Sequence, residues 1–352
     1  MDWTSSGIEH EWRFQLVDGV SFSPIGWLGN VKGGSITEGW RTDLRSSCTL
    51  DLDGRDIPLS AAVRVWHFAR LGTEEYSELV GTFFPDPWGG TYEYGRMSGD
   101  VQLYSALCKL SNARWKGVGT MGKGANVIAK FKEIAGWCHA TPWITPSWNT
   151  SKKFAETWVW VYPTDSALVG AQRCADAMGG YLGADEQGRV TLTPYTAPSK
   201  MGKTWAITPG GIALVGVDVN VPDLVNSVTA KHESGGKTYT ASASVVSTHP
   251  WAEGRIGRLE AKELSSVTIQ EGSSIQTQLN NAVKRELNSV SDMRRTFTLD
   301  ALYDPSVKCG TAGSFTYRDS DADEGISCKA FCSSREIKLD HTAQMSLTLE
   351  EL

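Results

Sequence analysis

Hydrophobic and polar positions change their spacing twice along the 352 residues of this chain. From about residue 8 to residue 98 they alternate. Ser46, Cys48, Leu50 and Leu52 share one phase and Ser47, Thr49 and Asp51 the other, and a period of two predicts a strand. Asp53-Gly54 marks a turn, Val63, Val65 and Val80 fall in further strand candidates, and Asp86-Pro87-Trp88-Gly89-Gly90 is a strong breaker. Short strands punctuated by such residues predict a barrel or a sandwich.

Between about 99 and 200 the period lengthens. Leu103, Ala106, Leu107 and Leu110 fit one helical face behind an Asp100 cap, and Val127, Ile128, Phe131, Ile134 and Ala135 fit a second. The clearest helix follows Pro163: Ala167, Leu168, Ala171, Cys174, Ala175 and Met178 repeat at three and four, and Gly179-Gly180 stops them. A hairpin comes next, 181–184 and 189–195 around a turn at Asp185 to Gly188.

After residue 200 alternation returns, in Val215 to Val221, in Tyr239 to Val246 and in Phe297 to Ala301. One helix interrupts at about 273–290, where Ser273 and Gln276 form a capping box ahead of Ile275, Leu279, Ala282, Val283 and Leu287. The last run is the most regular: Ile337, Leu339, His341, Ala343, Met345, Leu347 and Leu349 share a phase. It predicts one long strand with His341 packed in the core. The pattern therefore predicts a β-rich α+β chain in three parts: 1–98, a helix-containing module at 99–200, and 201–352 with its inserted helix.

Composition narrows the class. Hydrophobic residues make up 40% and charged residues 21%, a globular balance. No apolar run reaches the length of a membrane span, and Met1-Asp2-Trp3-Thr4-Ser5 carries no signal-peptide pattern. A net charge of −6 argues against a general nucleic-acid binder. The seven cysteines are odd in number and scattered. Cys48, Cys108, Cys138 and Cys174 sit in or beside apolar patterns, as free thiols assembled in a reducing cytoplasm do. Cys328 and Cys332 have no partner pair at zinc spacing.

Three segments spell known signatures, and each departs from its chemistry at a nameable place. Gly202-Lys203-Thr204 closes a relaxed phosphate-loop pattern, but Pro209, Gly210 and Gly211 forbid the helix that must follow. Gly117, Gly119 and Gly122 match the dinucleotide fingerprint, yet the polar stretch 111–116 stands where a buried strand is required. Asp319, Asp321 and Asp323 begin like a calcium loop, but Glu324 replaces its glycine and Ala330 its bidentate glutamate. They read first as a solvated hairpin tip, with calcium as the alternative. The six histidines form no metalloprotease pair, and no Gly-x-Ser-x-Gly elbow occurs. Catalytic, cofactor and metal residues are therefore expected to be none. Trp137, Trp143, Trp148, Trp158 and Trp160 cluster in sequence and predict core or interface packing, with a glycan platform as the alternative.

The succession of segments resembles the tail hub proteins of long-tailed bacteriophages, relatives of contractile-tail baseplate hubs and type VI secretion spike bases. The likeness rests on Ala62-Val63-Arg64-Val65-Trp66, Leu79-Val80-Gly81-Thr82-Phe83, Gly99-Asp100, Gly117-Val118-Gly119-Thr120, Ala135-Gly136-Trp137, Met178-Gly179-Gly180-Tyr181, Asp185 to Tyr195, Asp223 to Val228 and Gly254 to Arg258. It implies two tube-like antiparallel β-barrels per chain joined by the helix-containing module, in a homotrimer adapting a sixfold tail tube to a threefold tip. Implied partners are the tail tube or distal tail protein, the tape-measure protein and tip or fibre proteins, with DNA passing only in transit. The implied location is the virion tail tip, and no enzymatic activity is expected. A carbohydrate-binding tail tip protein and a cell-wall hydrolase are the rival readings.

Overall fold

Alternation becomes strand over most of the chain. The computed structural model describes all residues except 1–2, 4–6, 54–56, 86–91, 94–95, 98, 114–117, 147, 149–150, 162–164, 209–216, 221–224, 235, 249–251, 265–266, 268–273, 291–294 and 318–324. Contacts divide it into two units, residues 1–218 with 297–352, and residues 219–296.

The larger unit is built on a thirteen-stranded, largely antiparallel sheet. Its order runs Val217–Asn220, Thr296–Leu302, Gln344–Glu351, Ile326–Lys338, Val31–Gly39, Ser46–Leu52, Gly99–Tyr104, Glu74–Pro85, Ala61–Leu71, Glu9–Asp18 and Pro24–Leu28. Ala312–Tyr317 also pairs with Ile326–Lys338, and Lys203–Ile207 lies parallel to it. The path has two ends, and among the described residues it does not close into a barrel. C-terminal and N-terminal strands meet where Ser334 faces Gly39 and Lys338 faces Ser35. Their inward phases share one core, including Ile36, Leu50, Val63, Val65, Leu103, Phe297, Phe315, Ile337 and Leu347. Each large apolar side chain removed from water there contributes about 2 kcal/mol.

Three segments depart from the expected pattern. Gly99–Tyr104 is a strand paired with Ser46–Leu52, not the start of a helix. Val101 and Leu103 are buried on its inner side, and the first helix begins only at Leu107. Lys203–Ile207, at the end of the phosphate-loop pattern, is a strand that buries Trp205 and Ile207. The long final strand is two, Ile326–Lys338 and Gln344–Glu351, with Ile337 opposite Met345. The turn between them keeps the alternating phase, so only the residue at its tip breaks the burial: His341 is exposed while Leu339, Ala343 and Met345 are buried. Asp340 Oδ1 forms the turn by accepting from Thr342 N (2.8 Å) and Ala343 N (3.2 Å).

The helical part of this unit has its own core. Helices Leu107–Asn112, Val127–Trp137 and Ala167–Met178 bury Leu107, Leu110, Phe131, Ile134, Ala171 and Cys174 against Leu182 and Leu192. Asn126 caps the second helix by accepting from Ala129 N at 2.8 Å. Gly179, at φ 67°, ends the third in the left-handed conformation. The expected hairpin is Gly180–Ala184 with Val190–Pro194, and Pro142–Ile144 lies parallel beside the latter.

Residues 219–296 form a sheet of Lys237–Ser244, Ser227–Ser234 and Ala261–Leu264, with the last strand parallel to the middle one. Helix Ile275–Val290 lays Leu279, Val283 and Leu287 over Val228, Ala230 and Ala241. Buried Asn226 ties Arg258 O and Glu260 N into this unit at 2.9 Å each. Ser273 lies outside the described residues, and so does the capping box read there.

Candidate functional site

A cleft of about 310 Å³ lies between the sheet and the Gly180–Pro194 hairpin. Arg335 reaches it from an inward position of Ile326–Lys338 and is only 5% exposed. It donates to Glu38 Oε2 at 2.9 Å and to Val307 O at 2.6 Å. Burial works against its charge, but the carboxylate of Glu38 more than offsets this and holds the guanidinium ionised. Opposite, Lys308 pairs with Glu186 at 2.6 Å, and Thr82 Oγ1 donates to Glu186 O at 2.7 Å. Burial pushes Glu186 up, yet Lys308 holds it below the usual carboxylate range. Asp185 is paired with Arg189 at 2.7 Å.

One wall is a three-layer stack. The Trp40 and Tyr181 rings lie 3.9 Å apart at 8°, and the Arg45 guanidinium sits 4.5 Å above the Tyr181 ring. Arg45 holds a left-handed φ of 62° and donates to Trp40 O and to Leu182 O. The one thiol of the wall, Cys309, donates to Ser333 O at 3.4 Å, and burial pushes its pKa up, so it stays protonated. Tyr181 is raised for the same reason. Every carboxylate of the cleft is matched to a cation, and its hydroxyl and thiol groups are held neutral. Such an arrangement fastens the hairpin to the sheet.

The signature segments come to rest elsewhere. Lys203 and Thr204 stand exposed at the start of a strand, not at a helix N-terminus. Gly119 and Met121 lie in strand Val118–Met121, antiparallel to Trp158–Val161, whereas a dinucleotide fold needs a parallel sheet. Gly117, Pro209 and the triad Asp319, Asp321 and Asp323 lie outside the described residues. Among the described residues, no group of three or more His, Cys, Asp or Glu side chains could hold a metal ion. No helix described is long and apolar enough to cross a membrane.

Trp137 takes Lys130 at 5.7 Å, Trp143 takes Arg189 at 5.5 Å and Trp158 takes Arg173 at 4.1 Å, each over its own ring. Trp148 packs against Gly180 so closely that an added Cβ would enter its ring. Two polar clusters went unnoticed in the sequence, Glu38–Arg335 and a group around His67. The available signal is phase: Arg335 and His67 sit at buried positions of strands whose other buried positions are apolar.

No family model matches the chain, and no curated protein matches it. Solved structures do. A tail protein from Neisseria meningitidis shares the fold over 97% of both chains, with TM-score 0.62 and 13% identity. The 43 kDa tail protein of prophage MuSo2 from Shewanella oneidensis matches over 96% of this chain and 98% of its own, with TM-score 0.62 and 12% identity. A Francisella PdpA–VgrG complex matches over 98% of this chain and 53% of that one, with TM-score 0.56 and 9% identity. The resemblance read from the order of segments thus holds at the level of fold, shared with phage tail proteins and a VgrG complex.

Proposed function

We propose that this chain is a structural tail hub, a homotrimer at the distal end of a phage tail. The observation that carries the reading is the end-to-end match of fold with a solved tail protein, 97% of each chain. A match that spans both chains leaves no large part of either unaccounted for. In this reading the strand sets that meet at the Ile326–Lys338 and Val31–Gly39 pairing are walls of two tube-like barrels per chain. The functional parts are 1–98, 99–200 and 201–352, and six barrels around a threefold axis continue a sixfold tube.

The work is mechanical: to hold the tube end, seat the tape-measure protein, anchor tip or fibre proteins and let DNA pass through the lumen. The protein takes no cofactor and performs no catalysis, consistent with a cleft whose charged groups are spent on one another. Assembly is in the bacterial cytoplasm and the final location is the virion tail tip. Light scattering should return about three times the 38.3 kDa chain mass, and electron microscopy of a mixture with the tube protein should show capped tube ends. A monomer that never caps tubes would overturn the reading.

A further inference from the structure

His67 occupies an inward position of strand Ala61–Leu71 and is fully buried. Its Nε2 lies 3.0 Å from Nδ1 of His10, on the adjacent strand Glu9–Asp18, and the two rings stack with centroids 5.3 Å apart. On its other side, Nδ1 faces Glu78 Oε1 at 3.7 Å and has no hydrogen-bond partner. Glu78 is held in place by the hydroxyls of Tyr303 at 2.7 Å and Tyr76 at 3.3 Å. The rings of Trp12 and Tyr303 each pack 4.7 Å from the His67 ring, and Trp3 packs at 6.0 Å. None of this belongs to the cleft described above.

Two imidazole nitrogens 3.0 Å apart share a single proton, because one must donate and the other accept. We propose that the His10–His67 contact is an acid-sensitive latch on the first strand: a second proton at the facing nitrogens breaks it and frees Glu9–Trp12, while Phe14–Asp18 stays on the sheet. Phe14 and Val17 are buried and hold the far half in place. Glu9, Glu11 and Arg13 are exposed and anchor nothing in the core. Trp12 rests on the His67 ring, and its Nε1 donates to Asp340 O at 2.9 Å, two contacts that opening of the latch must break.

The groups around the pair set the direction. From Glu74–Pro85 come Glu78 and Tyr76, and from the segment after residue 302 come Tyr303, Asp304 and Lys308. On the first strand Glu11 is taken up by Arg13 at 2.7 Å. Burial pushes Glu78 up, but His67, the Tyr303 hydroxyl and Lys308 bring it below the usual carboxylate range. It therefore stays ionised and can balance the charge of one ring. A second charged ring gains no such counter-ion from it, since its carboxylate faces His67. Burial first, and then the charge of His67, lower His10 from 6.5 to about 4. The neutral form of His10 is thus the one folding favours. Its contribution is complete above the unfolded value and is lost as pH falls from 6.5 toward 4.

The test is hydrogen exchange of the full chain at about pH 7.5 and about pH 4.5, corrected for intrinsic rates. Protection of Glu9–Trp12 should fall about tenfold or more relative to Phe14–Asp18. In His10→Gln, which keeps a hydrogen-bonding group without a titrating one, that differential loss should vanish. Equal loss in both segments, or an undiminished loss in His10→Gln, would overturn the latch. A second readout needs no variant. The His10 imidazole of the wild-type chain, followed by NMR, should titrate well below the ordinary histidine range, and a midpoint near 6.5 would sink the proposal.

Discussion

Arg335 carries a permanent charge at a position whose neighbours in phase, Ile337 and Leu339, are fully apolar and buried. Taking one partner away leaves the other charge, or its carboxylate, inside without compensation. Arg335→Ala should therefore lower unfolding free energy by about 3–5 kcal/mol, read from urea midpoints at unchanged slope. The double variant Arg335→Met with Glu38→Leu should recover most of that loss, because an apolar pair of similar volume needs no desolvation offset. A sequence read by hydrophobicity alone passes over such residues. Cys48, Leu50 and Val65 declared their burial by type, whereas Arg335 and His67 declared it only by register, and a register is visible once both flanking residues of a strand are known to face inward. The cleft and the histidine pair were illegible for a further reason. Glu38 and Arg335, like His10 and His67, are far apart in the chain and meet only through strand pairing.

At the scale of elements, helices ended by strong stop signals were legible and those with soft boundaries were not. Gly179 is the clear case: its φ of 67° is the left-handed conformation of a helix stop, and an added Cβ would meet nothing within 4 Å. Gly179→Ala should cost about 1 kcal/mol, entirely from backbone conformation, and the loss should appear in thermal unfolding without a change in native circular dichroism. Asn126→Ala should cost a similar amount, about 1 kcal/mol, through the lost cap on Ala129 N. The segment 99–110 shows the opposite case. Leu103, Ala106, Leu107 and Leu110 stand at helical spacing, yet Leu103 belongs to a strand, Ala106 only precedes the first helix, and Leu107 and Leu110 alone lie within it. Spacing cannot separate strand from helix across a boundary this abrupt. The pairing of Gly99–Tyr104 with Ser46–Leu52 decides it instead. The 340 turn misled in the same way, since a tight hairpin that preserves phase looks like one unbroken strand.

For the whole molecule, the β-rich class was legible in the sequence, but the strands within residues 219–296 alternate like those around them and carry no sign of a separate unit. Among its described residues, that unit has a core cluster of six buried side chains, Val228, Ala230, Ala241, Leu279, Val283 and Leu287. The sheet core of the larger unit draws on both ends of the chain and on far more side chains. Stability scales with the apolar surface a core removes from water, and small cores leave little margin over conformational entropy. The unit 219–296 should therefore unfold first. The chain provides a clean way to see this, because all seven cysteines lie in the larger unit, at 48, 108, 138, 174, 309, 328 and 332. None is in a disulfide, and Cys48, Cys108, Cys174 and Cys332 are buried. In a urea series, hydrogen exchange along Ile275–Val290 should lose protection at a lower concentration than the one at which those four thiols become reactive to a maleimide. Coincident transitions would show that the two units unfold as one, and that the small core takes its stability from outside itself.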